Sequence, residues 1–234
     1  MEHIEYKYGR KTISAKLKFS DRRTIGLKVF PEGNIEVKAP FNTNKDVVIE
    51  KIKTKSKWIV TQQRAFELYK PFSTERKYIA GETHRYLGRQ YKLSVEINEK
   101  VKPSIKLSKG SFIITTPEIN KVEKIITNYY QLRADVIFSE LLESLLNEHS
   151  RFTDYEVKLK HRFLKKRWGS CSIKGTILLN TELIKASKIC IEYVILHELC
   201  HLIHPNHSKE FYNLLTEIFP LWKKIKDKLE KELA

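Results

Sequence analysis

Apolar and polar positions alternate through the first forty residues. Ile13, Ala15, Leu17 and Phe19 are interleaved with Ser14, Lys16 and Lys18, and Ile25, Leu27 and Val29 with Gly26 and Lys28. A period of two marks strands with one buried face. Pro31-Glu32-Gly33-Asn34 is a turn signal, and Ile35-Glu36-Val37-Lys38 resumes the alternation. The pattern predicts a hairpin. Thr43 or Asn44 then caps a helix whose apolar side is Val47, Val48, Ile52, Trp58 and Ile59; it runs to about Tyr69 and stops at Pro71.

A second β region spans Lys77 to about Thr116. Its strand signals are Tyr78-Ile79, Tyr86-Leu87, Tyr91, Leu93, Val95 and Ile97, then Ile105–Leu107 and Phe112–Ile114, with breaks at Gly81, Gly88 and Lys109-Gly110. His84 falls on an expected turn and reads as a surface residue. Pro117-Glu118 opens a long helix carried by Val122, Ile126, Ala134, Ile137, Leu141 and Leu145. Leu159 and His161 alternate with Lys158, Lys160 and Arg162 in a strand whose outer face is basic, and residues 176–180 look like its partner. The densest apolar run, Ile189 to Ile203, reads as a buried helix. Two amphipathic helices follow, one after Ser208 and one after Pro220. The expected fold class is α+β: a β-rich N-terminal region with one helix over 1–117, then a C-terminal domain over 118–234. No internal repeat or low-complexity linker is evident in the residue pattern.

At 234 residues, 31% charged and 41% hydrophobic, the chain is sized for a packed core. The longest apolar run is broken by Glu192, His197 and Glu198, so no membrane span is expected. The first residues lack a secretory leader pattern, and three cysteines without metal-ligand spacing suggest reduced thiols. The expected location is cytoplasmic. Lys and Arg exceed Asp and Glu by 44 to 28. That excess admits association with nucleic acid or another anion. Arg162, Lys165, Lys166 and Arg167, leading into Trp168, form the densest basic run and are the candidate substrate-binding residues.

Chemistry concentrates in His197-Glu198-Leu199-Cys200-His201. Histidines four apart on a helix share one face, so both imidazoles can grip one ion. The intervening glutamate points off that axis and can reach a water molecule instead. Burying these groups without partners would be costly, and a metal relieves the cost. A catalytic zinc wants a third protein ligand. His204 is on the same face, but its Cα would lie about 10 Å along the axis from that of His197. His207 follows the Pro205-Asn206 turn and can fold back, which favours it. Glu217, in the next helix, would complete a two-histidine, one-glutamate site.

The block from His197 to Ser208, followed by Phe211, resembles the YgjP-like metallopeptidase-domain family, which is related to the SprT-like zincins. Arg167-Trp168-Gly169-Ser170-Cys171-Ser172, Gly175-Thr176-Ile177 and Leu179-Asn180 carry the likeness further, and Arg22-Arg23-Thr24-Ile25, Gly81-Glu82 and Leu87-Gly88 extend it weakly into the first half. The resemblance implies a zincin-like domain, with the metal helix packed on a small antiparallel sheet. It implies Zn2+ held by His197, His201 and His207, with Glu198 as catalytic acid and base. A peptide substrate would add along the sheet edge near Trp168–Ser172. Two other readings stay open: a zinc hydrolase of a nucleotide or other phosphorylated molecule, pyrophosphatase-like, with the basic run holding phosphates; and a basic nucleic-acid-associated module with a structural metal.

Overall fold

The computed structural model describes residues 2–30, 33–68 and 76–233. Pro31-Glu32 of the expected turn, and the expected helix end at Tyr69 and Pro71, lie outside them. Packing divides the chain into two compact units, Met1–Ser73 and Thr74–Ala234.

The first unit contains β1 (Glu2–Tyr8), β2 (Lys11–Ser20), β3 (Gly26–Val29) and β4 (Ile35–Pro40), then α1 (Lys45–Lys53) and α2 (Ser56–Leu68). The alternation holds: Ile13, Ala15, Leu17, Ile35, Val37 and Ala39 are buried with Val48, Ile52 and Ile59 of the helices. The strands form more than the expected hairpin. Their order is β1-β2-β4-β3, with β2 and β4 parallel and the outer pairs antiparallel. The single expected helix is two. Its break has a local cause, because Thr54 Oγ1 donates to the Lys51 carbonyl and Ser56 Oγ to the Lys53 carbonyl, competing with the helical ladder.

The second unit opens with β5 (Thr83–Tyr86), β6 (Arg89–Ile97), β7 (Ser104–Ser108) and β8 (Ser111–Thr116). A 3-10 turn at Ile119–Lys121 leads into α3 (Val122–Glu148). Strand order and pairing senses repeat those of the first unit: β5-β6-β8-β7, parallel only between β6 and β8. Each first hairpin closes with a two-residue turn, between Tyr8 and Lys11 and between Tyr86 and Arg89. β4 ends on Pro40, and Pro117 directly follows β8. The residue pattern did not disclose this repeat, because the two copies share ladders and turns more than identities.

The unit boundary also differs from the expected one near Pro117. Tyr86, Leu93, Phe112 and Ile114 of the second sheet share one core with Val122, Ile126, Tyr130 and Ala134 of α3. Edge-to-face contacts among Phe112, Tyr129 and Tyr130 fasten sheet to helix. His84 is 1% exposed, not a surface residue. Its ring packs 5.6 Å from that of Tyr78, and burial lowers its pKa to about 4.

The remaining elements are β9 (Lys158–Arg162), β10 (Gly169–Cys171), β11 (Thr176–Asn180), α4 (Lys188–Ile203), α5 (Lys209–Ile218) and α6 (Trp222–Leu233). The three strands make a sheet of order β10-β11-β9. It is mixed rather than antiparallel: β10 pairs antiparallel with β11, but β9 runs parallel to it. The connection between β9 and β11 passes through β10, which a simple hairpin reading could not foresee. α4 contacts β10 and β11 on one side and α5 and α6 on others.

Two devices hold this region in place. The Leu87-Gly88 turn, at φ 47° and 78°, donates its two N–H groups to the Ile184 and Lys185 carbonyls, at 2.9 and 3.0 Å, just ahead of α4. A Cβ on Gly88 would come within 2.8 Å of Ser187. The second device is buried Asn180. Its Nδ2 donates to the Leu164 and Arg167 carbonyls at 2.9 and 3.2 Å, and its Oδ1 accepts from Leu164 N and Glu182 N. These bonds pin the segment entering β10. Asn180→Ala leaves several half-buried backbone groups without their partner, so it is expected to cost about 1–3 kcal/mol, read from the denaturant midpoint.

Candidate metal centre

α4 is buried over most of its circumference, including Cys190, Ile191, Val194, Ile195, Leu199 and Cys200. Only one stripe opens into a cleft, and His197 and His201 lie on it one turn apart. The helix ends at His204, whose N–H bonds the Cys200 carbonyl at 2.9 Å. Pro205-Asn206 reverses the chain, and Ser208 caps α5 by accepting from Phe211 N. This turn carries His207 back over α4. The nitrogen atoms offered by His197, His201 and His207 all lie within 4.8 Å of one another. Phe211, fully buried, forms the floor, with its ring 4.9, 4.6 and 4.8 Å from the three imidazole centroids.

The donor atoms suit a divalent cation. His201 Nδ1 lies 3.2 Å from the His204 carbonyl, which can only accept, so Nδ1 is the donor there and Nε2 is the nitrogen left to ligate. His197 Nε2 and His207 Nε2 are 3.0 Å apart. Two ligands bound about 2.0–2.1 Å from a tetrahedral ion stand about 3.3 Å apart, so little movement separates this arrangement from a bound one. His197 Nδ1 is buried without a hydrogen-bond partner. Burial, then the neighbouring His201 and His207, hold the His197 pKa down to about 3, and burial also lowers that of His207. Neutral imidazoles are the form that ligates.

Glu198 is 5% exposed. Burial raises its pKa to about 7, with the Arg167 guanidinium pulling the other way. A carboxyl poised there can exchange protons near neutrality. Its position depends on Gly169 of β10, where a Cβ would sit 2.7 Å from Glu198 Oε1. Gly169→Ala is therefore expected to displace the carboxylate and lower kcat about a hundredfold while metal content stays at wild-type level. Unchanged kcat in that variant would refute the steric role.

The cleft beside these groups has a volume of about 710 Å³, and Trp168, Cys171, Tyr212, Trp222 and Lys226 contribute to its walls. Arg167 and Trp168, both expected at the site, line it. The indole N–H of Trp168 donates to Glu230 Oε1 at 3.2 Å. Arg162, Lys165 and Lys166 are exposed but do not line the cleft. Glu217 is drawn away, bonded to Arg151 at 2.6 Å. His204 contributes its carbonyl rather than its ring. Burial pushes the Cys171 thiol up to about 11, so it stays protonated. Lys226 was missed by sequence reasoning. Its only local signal is its place four residues from Trp222 and from Glu230, on one face of α6.

The family profile described as YgjP-like, metallopeptidase domain, matches residues 23–232, nearly the whole chain. The chain belongs to the YgjP-like family. A metal-dependent peptidase is the activity class this membership supports. Among solved structures, this YgjP-like chain overlaps the metallopeptidase zymogen abylysin of Pyrococcus abyssi at 28% identity and a TM-score of 0.37, over 41% of this chain and 94% of that one. It overlaps the metallopeptidase zymogen jannalysin of Methanocaldococcus jannaschii at 24% identity and a TM-score of 0.37, over 42% and 97%. Comparison with curated proteins returns no match. Among the described residues, no helix of the YgjP-like chain is long and apolar enough to cross a membrane.

Proposed function

We propose that this YgjP-like protein is a cytoplasmic zinc-dependent peptidase of zincin-like design, with His197, His201 and His207 as ligands and Glu198 as general base. The observation that carries the reading is the convergence of three imidazoles beside a buried carboxyl, in a cleft flanked by an outermost strand. A divalent ion held there supplies Lewis acidity and makes water nucleophilic near neutral pH. Glu198 takes the proton from the attacking water and returns it to the leaving amine. His201, fixed by the His204 carbonyl, presents Nε2 in one orientation. β10 is the outermost strand of its sheet, so an extended peptide can add to it and pass Glu198 and the imidazoles. Trp168, Tyr212 and Trp222 supply apolar walls for its side chains. The three free cysteines suit a reducing compartment.

The nucleotide reading is less supported, because of the four candidate basic residues only Arg167 reaches the cleft. A structural-metal module would need a fourth ligand, and the histidine cluster among the described residues has three members. Chelator-treated protein is expected to lose cleavage of unfolded casein and to regain it with zinc. Release of phosphate or pyrophosphate from nucleotides by the zinc-loaded protein, with casein left intact, would favour the phosphohydrolase instead.

A further inference from the structure

We propose that the first unit is a docking module that takes an acidic, extended peptide segment of a partner protein along the free edge of β3, over the groove beside Trp58. Among the described residues, β3 is the last strand of its sheet. Phe30 N donates to the Asn34 carbonyl, so its amide faces β4. By alternation along the strand, the N–H and C=O groups of Leu27 and Val29 face outward, ready to pair with an added strand.

Next to this edge lies a groove of about 690 Å³, walled by Ile25, Leu27, Ile52 and Trp58 and rimmed by Lys51 and Lys55. Trp58 is 44% exposed beside the apolar Ile25, Leu27 and Ile52. An incoming strand would turn every second side chain down onto this wall. The residues between would face the opposite side of the sheet, with Lys28.

Charge selects the partner. The ion pairs of this unit engage Lys18, Lys38, Lys45 and Lys53. Among the described residues, Lys28, Lys51, Lys55 and Arg22 have no acidic partner. The Arg22 guanidinium lies over Gly26, where a Cβ would meet Nη1 at 2.6 Å, and its buried Nε has no hydrogen-bond partner. Unpaired cations along a free strand edge with an apolar trough match a segment that alternates carboxylates with apolar residues. A single-stranded nucleic acid would use the same cations but has no backbone donors and acceptors at strand spacing. Among the described residues, Trp58 is the one aromatic side chain that lines the groove for base stacking.

The test uses the full chain carrying Glu198→Gln, so that the probe survives. A fluorescein-labelled peptide of four Glu-Val repeats is titrated and followed by anisotropy, beside a Lys-Val counterpart, an oligo(dT) decamer, and a Glu-Val peptide N-methylated at alternate amides. The Glu-Val peptide alone is expected to bind, at least about tenfold more weakly as salt rises from roughly 0.05 to 0.5 M. Trp58→Ala, which removes the wall, or Lys28→Glu, which reverses the charge on the face the carboxylates meet, should each weaken it at least about tenfold with unchanged circular dichroism, since both side chains are exposed. Lys226→Glu should leave it unaltered, separating this site from the metal cleft. Equal binding of the Glu-Val and Lys-Val peptides, indifference to N-methylation, or loss of binding in Lys226→Glu but not in the Trp58 and Lys28 variants would overturn the proposal. So would binding of the decamer in place of the peptide.

Discussion

Glu198→Gln is expected to lower kcat on an unfolded-protein substrate by about 10²–10⁴-fold while leaving bound metal at wild-type stoichiometry. The reasoning is steric as well as chemical. Glutamine has the shape of glutamate, and the space left by Gly169 accepts it without moving β10. What it lacks is a basic oxygen. The three imidazoles are untouched, so their affinity for the ion should persist. Measuring metal content and turnover on the same preparation separates the outcomes. Retained turnover would remove Glu198 from the mechanism, and lost metal would mean that its carboxyl is part of the coordination sphere.

His207→Ala is expected to weaken zinc binding on the order of a hundred- to thousandfold, read by competition with a chromogenic chelator. His207 is exposed, on the turn between α4 and α5, so its removal should leave the circular dichroism spectrum in place. His204→Ala is the matched control. The ring it deletes binds nothing in the site, while the backbone carbonyl that orients His201 remains. Glu217→Ala should likewise keep the metal, since that carboxylate is engaged by Arg151. If His204→Ala or Glu217→Ala lost zinc and His207→Ala kept it, the ligand set would have to be redrawn.

The histidine-bearing helix was legible because its information is local. Two histidines four apart inside an unbroken apolar run specify both a helix and a shared face, and Pro205-Asn206 specifies the reversal that returns His207. Long-range pairing was less visible. Nothing near Leu159 says that it will pair in parallel with Ile177 rather than in a hairpin, because β10 intervenes in sequence between their strands. The burial of His84 depends on the sheet closing over it with Tyr78, not on its neighbours in sequence. Gly169 looked like one letter of a motif, and its reason emerged only when Glu198 was found against it. Lys226 and Glu230 enter the cleft from a helix about sixty residues beyond Trp168, a distance over which no periodicity speaks.

The repeated strand order has a consequence for how this molecule can change. The later copy is committed: its Leu87-Gly88 corner holds the approach to the histidine-bearing helix, and its aromatic layer is shared with that helix's supports. The earlier copy keeps the same architecture around a core of its own. A sheet with a core of its own can accumulate changes on its rim without loosening the packing behind the three histidines.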